Sequence, residues 1–196
     1  LHDALPILLK TMDRAICFAL LTGVTKFGKV SVFSDLNNLD DISMREPYAA
    51  ICGITETELR THFDEDIHTL ASALERTYEE ARSLLRKRYD GYHFVAGGPG
   101  IYNPFSLLNT FKYMRLSDYW FETGTPTYLM ELLKRTNYDL YDMANTETDA
   151  DVLNSIDSAS NNPIPVIYQS GYLTIKGYEP EFGIYRLGFP NREVEE

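Results

Sequence analysis

The stretch PIPVIYQSGYLTIKGYEPEFGIYRLGF occupies residues 163–189. Within it, YLTIKGYE and GIYRLGF each alternate apolar and polar residues, the period of a strand with one buried face. Pro180-Glu181-Phe182 separates them, so the two segments predict a β-hairpin. A short helix is expected just before it, from Val166 to Ser170.

A helix followed by such a hairpin suggests a winged-helix-like unit, which we assign to residues 137–196. Immediately upstream, Tyr138 to Asn162 hold many Asp, Asn, Ser and Thr and few large apolar groups. That segment is expected as a surface loop or a mobile connection.

Further upstream the pattern turns helical. Thr55 precedes Glu58 at capping-box spacing, with Leu59 and Phe63 on one face, which predicts a helix from about Glu56 to Phe63. From Asp66 to Tyr89, apolar residues at Ile67, Leu70, Leu74, Tyr78, Ala81, Leu84 and Leu85 step by three or four, and one long helix is expected. Tyr89-Asp90-Gly91-Tyr92 stops it, and Ala96 to Gly100 is a turn. Asn103-Pro104 opens a helix through Phe111, and Pro126 suits the first turn of another in TPTYLMELLKR.

Nearer the start, AICFALLTGV and KVSVFS read as two buried strands between Ala15 and Phe33, broken at Thr25 to Gly28. DLNNLDDIS is the loop that follows. Cys17 and Cys52 sit in apolar runs without zinc-ligand spacing, and are expected as buried free thiols in a reducing cytoplasm. Residues 1–7, LHDALPI, back-translate codon for codon into the end of a common sequencing adaptor. They are set aside as an artefact, and the reading frame is expected to be cut both upstream and downstream.

Net charge is −11, which disfavours general affinity for nucleic-acid phosphates and anionic lipid. No apolar run approaches the roughly 20 residues of a membrane helix. A soluble, cytoplasmic chain is expected.

Taken in order, TGVTKFGKVSVFSDLNNLDDIS, YDGYHF, IYNPFSLLN, YWFETGTPTYL, YQSGYLTIKGYE and LGFPNREV resemble the predicted AAA-ATPase-like family of bacteria. The resemblance runs from Leu8 onward. It implies a signal-transducing P-loop ATPase, with an α/β nucleotide-binding domain, a helical lid, a winged helix and commonly a C-terminal nuclease-like domain of the PD-(D/E)XK type. The implied fold is α/β, then mostly α with a small β-hairpin. Residues 8–54 would be the end of the P-loop NTPase sheet, 55–136 the helical lid and 137–196 the winged-helix-like unit.

A phosphate loop needs a Gly-rich turn ending in Gly-Lys-Ser/Thr at a helix start, and no such sequence occurs in the chain. The resemblance therefore implies that ATP and Mg²⁺ are held by the intact parent, whose missing N-terminal phosphate-loop segment and C-terminal nuclease-like domain would be partners of this part. The fragment alone would be inactive and would bind neither tightly. Asp35 only faintly imitates the Mg²⁺-holding acidic strand end.

The same resemblance places the sensor strand at Thr22, Thr25 and Lys26. A polar group at a strand's C-terminal end faces the ligand crevice of an open α/β sheet; the bland alternative is that these residues merely end a strand. Gly124 and Pro126 match a Gly-x-Pro motif by which such lids contact adenine and ribose, and Pro126 equally suits a plain helix start.

The Tyr89–Phe94 aromatics around His93 are expected to pack a corner, and Trp120 to be substantially buried core. A competing reading makes the winged helix a nucleic-acid-binding or protein-interaction module. The helix expected at Val166 to Ser170 carries no Arg or Lys, and Lys176, Arg186 and Arg192 are the cations of that region.

Overall fold

Two threonine caps organise the first half of the chain. The computed structural model describes residues 11, 13–22, 40–122, 127–136, 138, 145–154 and 162–196. Thr55 is extended, at φ −78° and ψ 161°; its hydroxyl accepts from the Glu58 amide at 3.2 Å, and the Glu58 carboxylate accepts from the Thr55 amide at 2.9 Å. This reciprocal capping box starts α1, Glu56–His62, as the spacing predicts. Two further helices follow, α2 at Asp64–Ala73 and α3 at Tyr78–Tyr89.

The single long helix expected from Asp66 to Tyr89 is therefore two. Thr77-Tyr78-Glu79-Glu80 repeats the capping-box spacing, with the Thr77 amide donating to Glu80 at 2.8 Å and the Glu80 amide donating to Thr77 at 3.3 Å. Glu75 takes a left-handed φ of 54°, which ends α2. The apolar period runs unbroken through the corner, because both helices bury their faces in one core. That core joins Leu59, Ile67, Leu70, Ala81, Leu85 and Tyr89 to Tyr102, Leu107 and Phe111. Leu84, which falls in the same period, is exposed.

Asn103 caps α4, Pro104–Tyr113, by accepting from the amides of Phe105 at 3.0 Å and Ser106 at 3.4 Å. Proline at the first helical position loses no bond there. Beside the helices, β1, Ile54–Thr55, pairs antiparallel with β2, Ile101–Tyr102.

The second half continues with α5 at Tyr119–Glu122, α6 at Thr127–Thr136, β3 at Glu147–Asp149 and α7 at Ala150–Asn154. It ends with α8 at Ile164–Gln169, β4 at Thr174–Glu179, β5 at Ile184–Gly188 and α9 at Arg192–Glu195. The hairpin of β4 and β5 lies where the alternation places it. It does not stand alone, since β3 pairs antiparallel with β5 and gives the sheet order β3-β5-β4.

Strand β3 and helix α7 correct the expectation of an unstructured segment from Tyr138 to Asn162. A polar edge strand with Glu147 and Asp149 exposed carries no apolar alternation to read. Its pairing comes from the backbone, Thr148 standing opposite Tyr185. A second core forms behind this sheet from Leu153, Ile164, Val166, Ile167, Leu173, Ile175 and Leu187.

The strand expected at AICFALLTGV is not found in its described part. Asp13–Ala15 form a short 3₁₀ turn, no strand runs through residues 16–22, and Phe18 is 81% exposed. A strand needs a ladder partner, and no described strand pairs with this segment. KVSVFS lies outside the described residues. The described architecture is thus mixed α and β with two small antiparallel sheets. Cys17 and Cys52, expected to be buried, are both exposed free thiols, because the apolar runs that hold them lie at the surface.

Candidate functional site at the joint between the two cores

The two cores meet where α3 ends. Tyr89 is fully buried, and its hydroxyl donates to the Ser117 carbonyl at 2.8 Å while accepting from the Ser117 amide at 3.0 Å. Gly91 follows with φ 110°, a conformation that only glycine adopts readily, and packs on the Pro190 carbonyl. Burial pushes the neighbouring Asp90 carboxyl up, against the opposing pull of the Gly91 amide at 2.7 Å.

His93 ties this turn to the hairpin. Its amide donates to the Thr174 hydroxyl at 2.7 Å, and that hydroxyl donates back to the His93 carbonyl at 3.0 Å. The His93 ring lies 3.1 Å from the Gly98 carbonyl through Nδ1, a contact within its own turn. Tyr92 packs with Trp120 around Gly171, and the Trp120 ring meets Tyr172 edge-on at 4.7 Å. Trp120 is only partly buried, whereas its neighbour Tyr119 is 3% exposed.

Glu193, on α9, closes the joint. It is wholly buried, and its Oε1 accepts from the Ser106 hydroxyl at 2.8 Å and from the Trp120 amide at 2.9 Å. Burial pushes its carboxyl up; the Trp120 and Ser106 hydrogen bonds oppose this, and nearby Asp118 adds to it. Arg88 pairs with Asp118 at 2.5 Å and reaches Glu196 at 3.4 Å. Beside the joint, Lys87, Lys176, Asn191, Arg192 and Glu195 line an open cleft, and Lys176 donates to the Pro190 carbonyl at 3.2 Å.

Of the residues singled out from sequence, Thr22 is exposed and belongs to no helix or strand. Thr25, Lys26, Gly124, Pro126 and Asp35 lie outside the described residues. Among the described residues no group of three or more His, Cys, Asp or Glu could hold a metal ion. No described helix is long and apolar enough to cross a membrane.

Sequence reasoning missed Glu193 and Thr174. Glu193 sits in a polar terminal run that looks solvated, and its only local signal is Asn191, whose side chain accepts from the Val194 amide at 3.3 Å and so starts α9. Thr174 reads as an ordinary strand residue.

No family model matches the chain, and no solved structure matches it. A protein of Azotobacter chroococcum mcd 1, described as an uncharacterized protein in the vnfD 5' region, is 38% identical over 192 residues. The match covers 95% of this chain and 34% of that protein, so the chain spans about a third of the length of the curated relative.

Proposed function

We propose that this chain is the lid and winged-helix-like part of a bacterial P-loop ATPase resembling the predicted AAA-ATPase-like family, and that it relays nucleotide-driven movement. The observation that carries the reading is the order α6, β3, α7, α8, β4, β5 with β5 central in the sheet. A winged helix is built in that order: helix, strand, two helices, then a hairpin whose last strand lies in the middle.

Helix α8 occupies the position of a recognition helix, yet it buries Ile164, Pro165, Val166 and Ile167 and carries no cation. Reading DNA requires exposed Arg, Lys or amide side chains on that helix, and its one amide, Gln169, is half-buried and donates to the Leu153 carbonyl at 2.9 Å. This favours a mechanical role, with the unit docked on the helical part through Glu193, Thr174 and Gly91. Intact parent protein would hold ATP and Mg²⁺, with Thr22, Thr25 and Lys26 toward the γ-phosphate and Gly124 and Pro126 against adenine and ribose. Loss of the γ-phosphate would move the lid, as it moves loops in other nucleotide switches.

The test is ATP hydrolysis and fluorescent-nucleotide binding by the full-length parent. Lys26→Ala is expected to abolish turnover, and Pro126→Ala to weaken binding. Unchanged behaviour in both variants overturns the sensor and lid assignments.

One observation favours a second reading, in which the hairpin contacts nucleic acid. Lys87, Lys176 and Arg192 line one cleft in a chain that is strongly acidic overall. Salt-dependent DNA binding lost in Lys176→Ala would support it, because phosphate contacts release counterions.

A further inference from the structure

Glu193 is the one wholly buried acidic residue among the described residues. Both of its hydrogen bonds fall on Oε1, while Oε2 is buried without a partner among the described residues. It makes no ion pair with a described residue; the nearby Arg88 guanidinium pairs with Asp118 and Glu196 through one of its nitrogens.

A carboxylate in such a place is a buried charge that only two hydrogen bonds and the nearby Arg88 offset, so burial disfavours it. A protonated carboxyl keeps the same two acceptor bonds and carries no charge. Its remaining O–H is also a donor, which a carboxylate does not offer.

We propose that Glu193 carries its proton while the joint is closed, and that its ionisation loosens α9 from α4 and α5, making the joint a proton-operated latch. This inference concerns the joint alone and stands independently of nucleotide binding. The groups facing Glu193 are Arg88 and Tyr89 from α3, Tyr92 from the turn after it, Ser106 from α4 and Asp118 just before α5. Arg88 favours ionisation and Asp118 opposes it, while burial dominates. Arg192, Glu195 and Glu196 lie beside it on its own terminal segment and are exposed.

Trp120 is the only tryptophan in the chain and gives its amide to Glu193, so its fluorescence reports the latch. In the 196-residue chain, emission is expected to change in one step as pH rises, centred above the ordinary glutamate value of 4.5. Glu193→Gln is neutral and close in shape, and should remove the step and hold the acid-side signal at every pH. A step that persists in Glu193→Gln overturns the proposal. Carboxyl carbon chemical shifts of Glu193 in the wild-type chain provide a second measurement that needs no variant. A midpoint above 4.5 supports the latch, and one at or below it overturns the latch.

Discussion

A Cβ at residue 91 would lie 2.2 Å from the carbonyl oxygen of Pro190. The turn after α3 and the segment leading into α9 are thus in contact through bare backbone. Gly91→Ala adds a clash with main-chain atoms to a φ of 110° that disfavours any side chain. The variant is expected to lose about 2 kcal/mol or more in urea unfolding, with an unchanged denaturant slope. A loss within about 0.5 kcal/mol, the range of ordinary surface substitutions, would show that the contact yields.

The corner between α2 and α3 depends on Thr77, whose hydroxyl accepts from the Glu80 amide. Thr77→Ala removes that acceptor and is expected to cost about 1 kcal/mol. Thr55→Ala, at the start of α1, should cost a similar amount by the same mechanism. The two effects should add, because the caps share no partner. Unfolding of the double variant checks both claims, and no change in either single variant would sink them.

How much of this was legible follows from where the information sits. Asn103, Thr55 and the alternation of Thr174 to Gly188 act locally, so their helix starts and strands could be read from a few neighbouring residues. The break at Thr77 was equally local, but the strong apolar period across it masked the cap. Strand β3 was not legible, because its pairing with β5 is made by backbone groups 37 residues away, as in Thr148 with Tyr185. Glu193 was invisible for the same reason: its burial depends on Ser106 and Trp120, 87 and 73 residues upstream. The sensor and lid residues rested on family resemblance, and only Thr22 of that set falls within the described residues.

The two capping glutamates and Glu193 should respond to pH with opposite sign. The Thr55 hydrogen bonds hold the Glu58 carboxyl below its ordinary value, and Thr77 does the same for Glu80. Their contribution is complete above 4.5 and is lost as pH falls through the lowered values. Glu193 is raised, so the folded state binds its proton more tightly than the unfolded chain does. Its part of the stability declines as pH climbs from 4.5 toward the raised value. Stability measured against pH should therefore have a shallower acid-side slope in Glu58→Gln with Glu80→Gln, and a smaller higher-pH decline in Glu193→Gln, the raised Asp90 carboxyl keeping part of that decline. Identical profiles in all variants would contradict the assignment.

Thr174 links the hairpin to the turn after α3 through one hydroxyl that both accepts from and donates to the His93 backbone. The side chain is 2% exposed, so water cannot replace either bond. Thr174→Val keeps the shape and removes the hydroxyl, leaving the His93 amide and carbonyl without it. The expected cost is about 2 kcal/mol, the penalty for stranding buried polar groups. Thr174→Ser retains both bonds and gives up one methyl, about 1 kcal/mol of apolar burial. The valine variant should therefore be the less stable of the two, although it is the more apolar. The opposite order would mean that packing, and not the paired hydrogen bonds, holds the hairpin against the helical part.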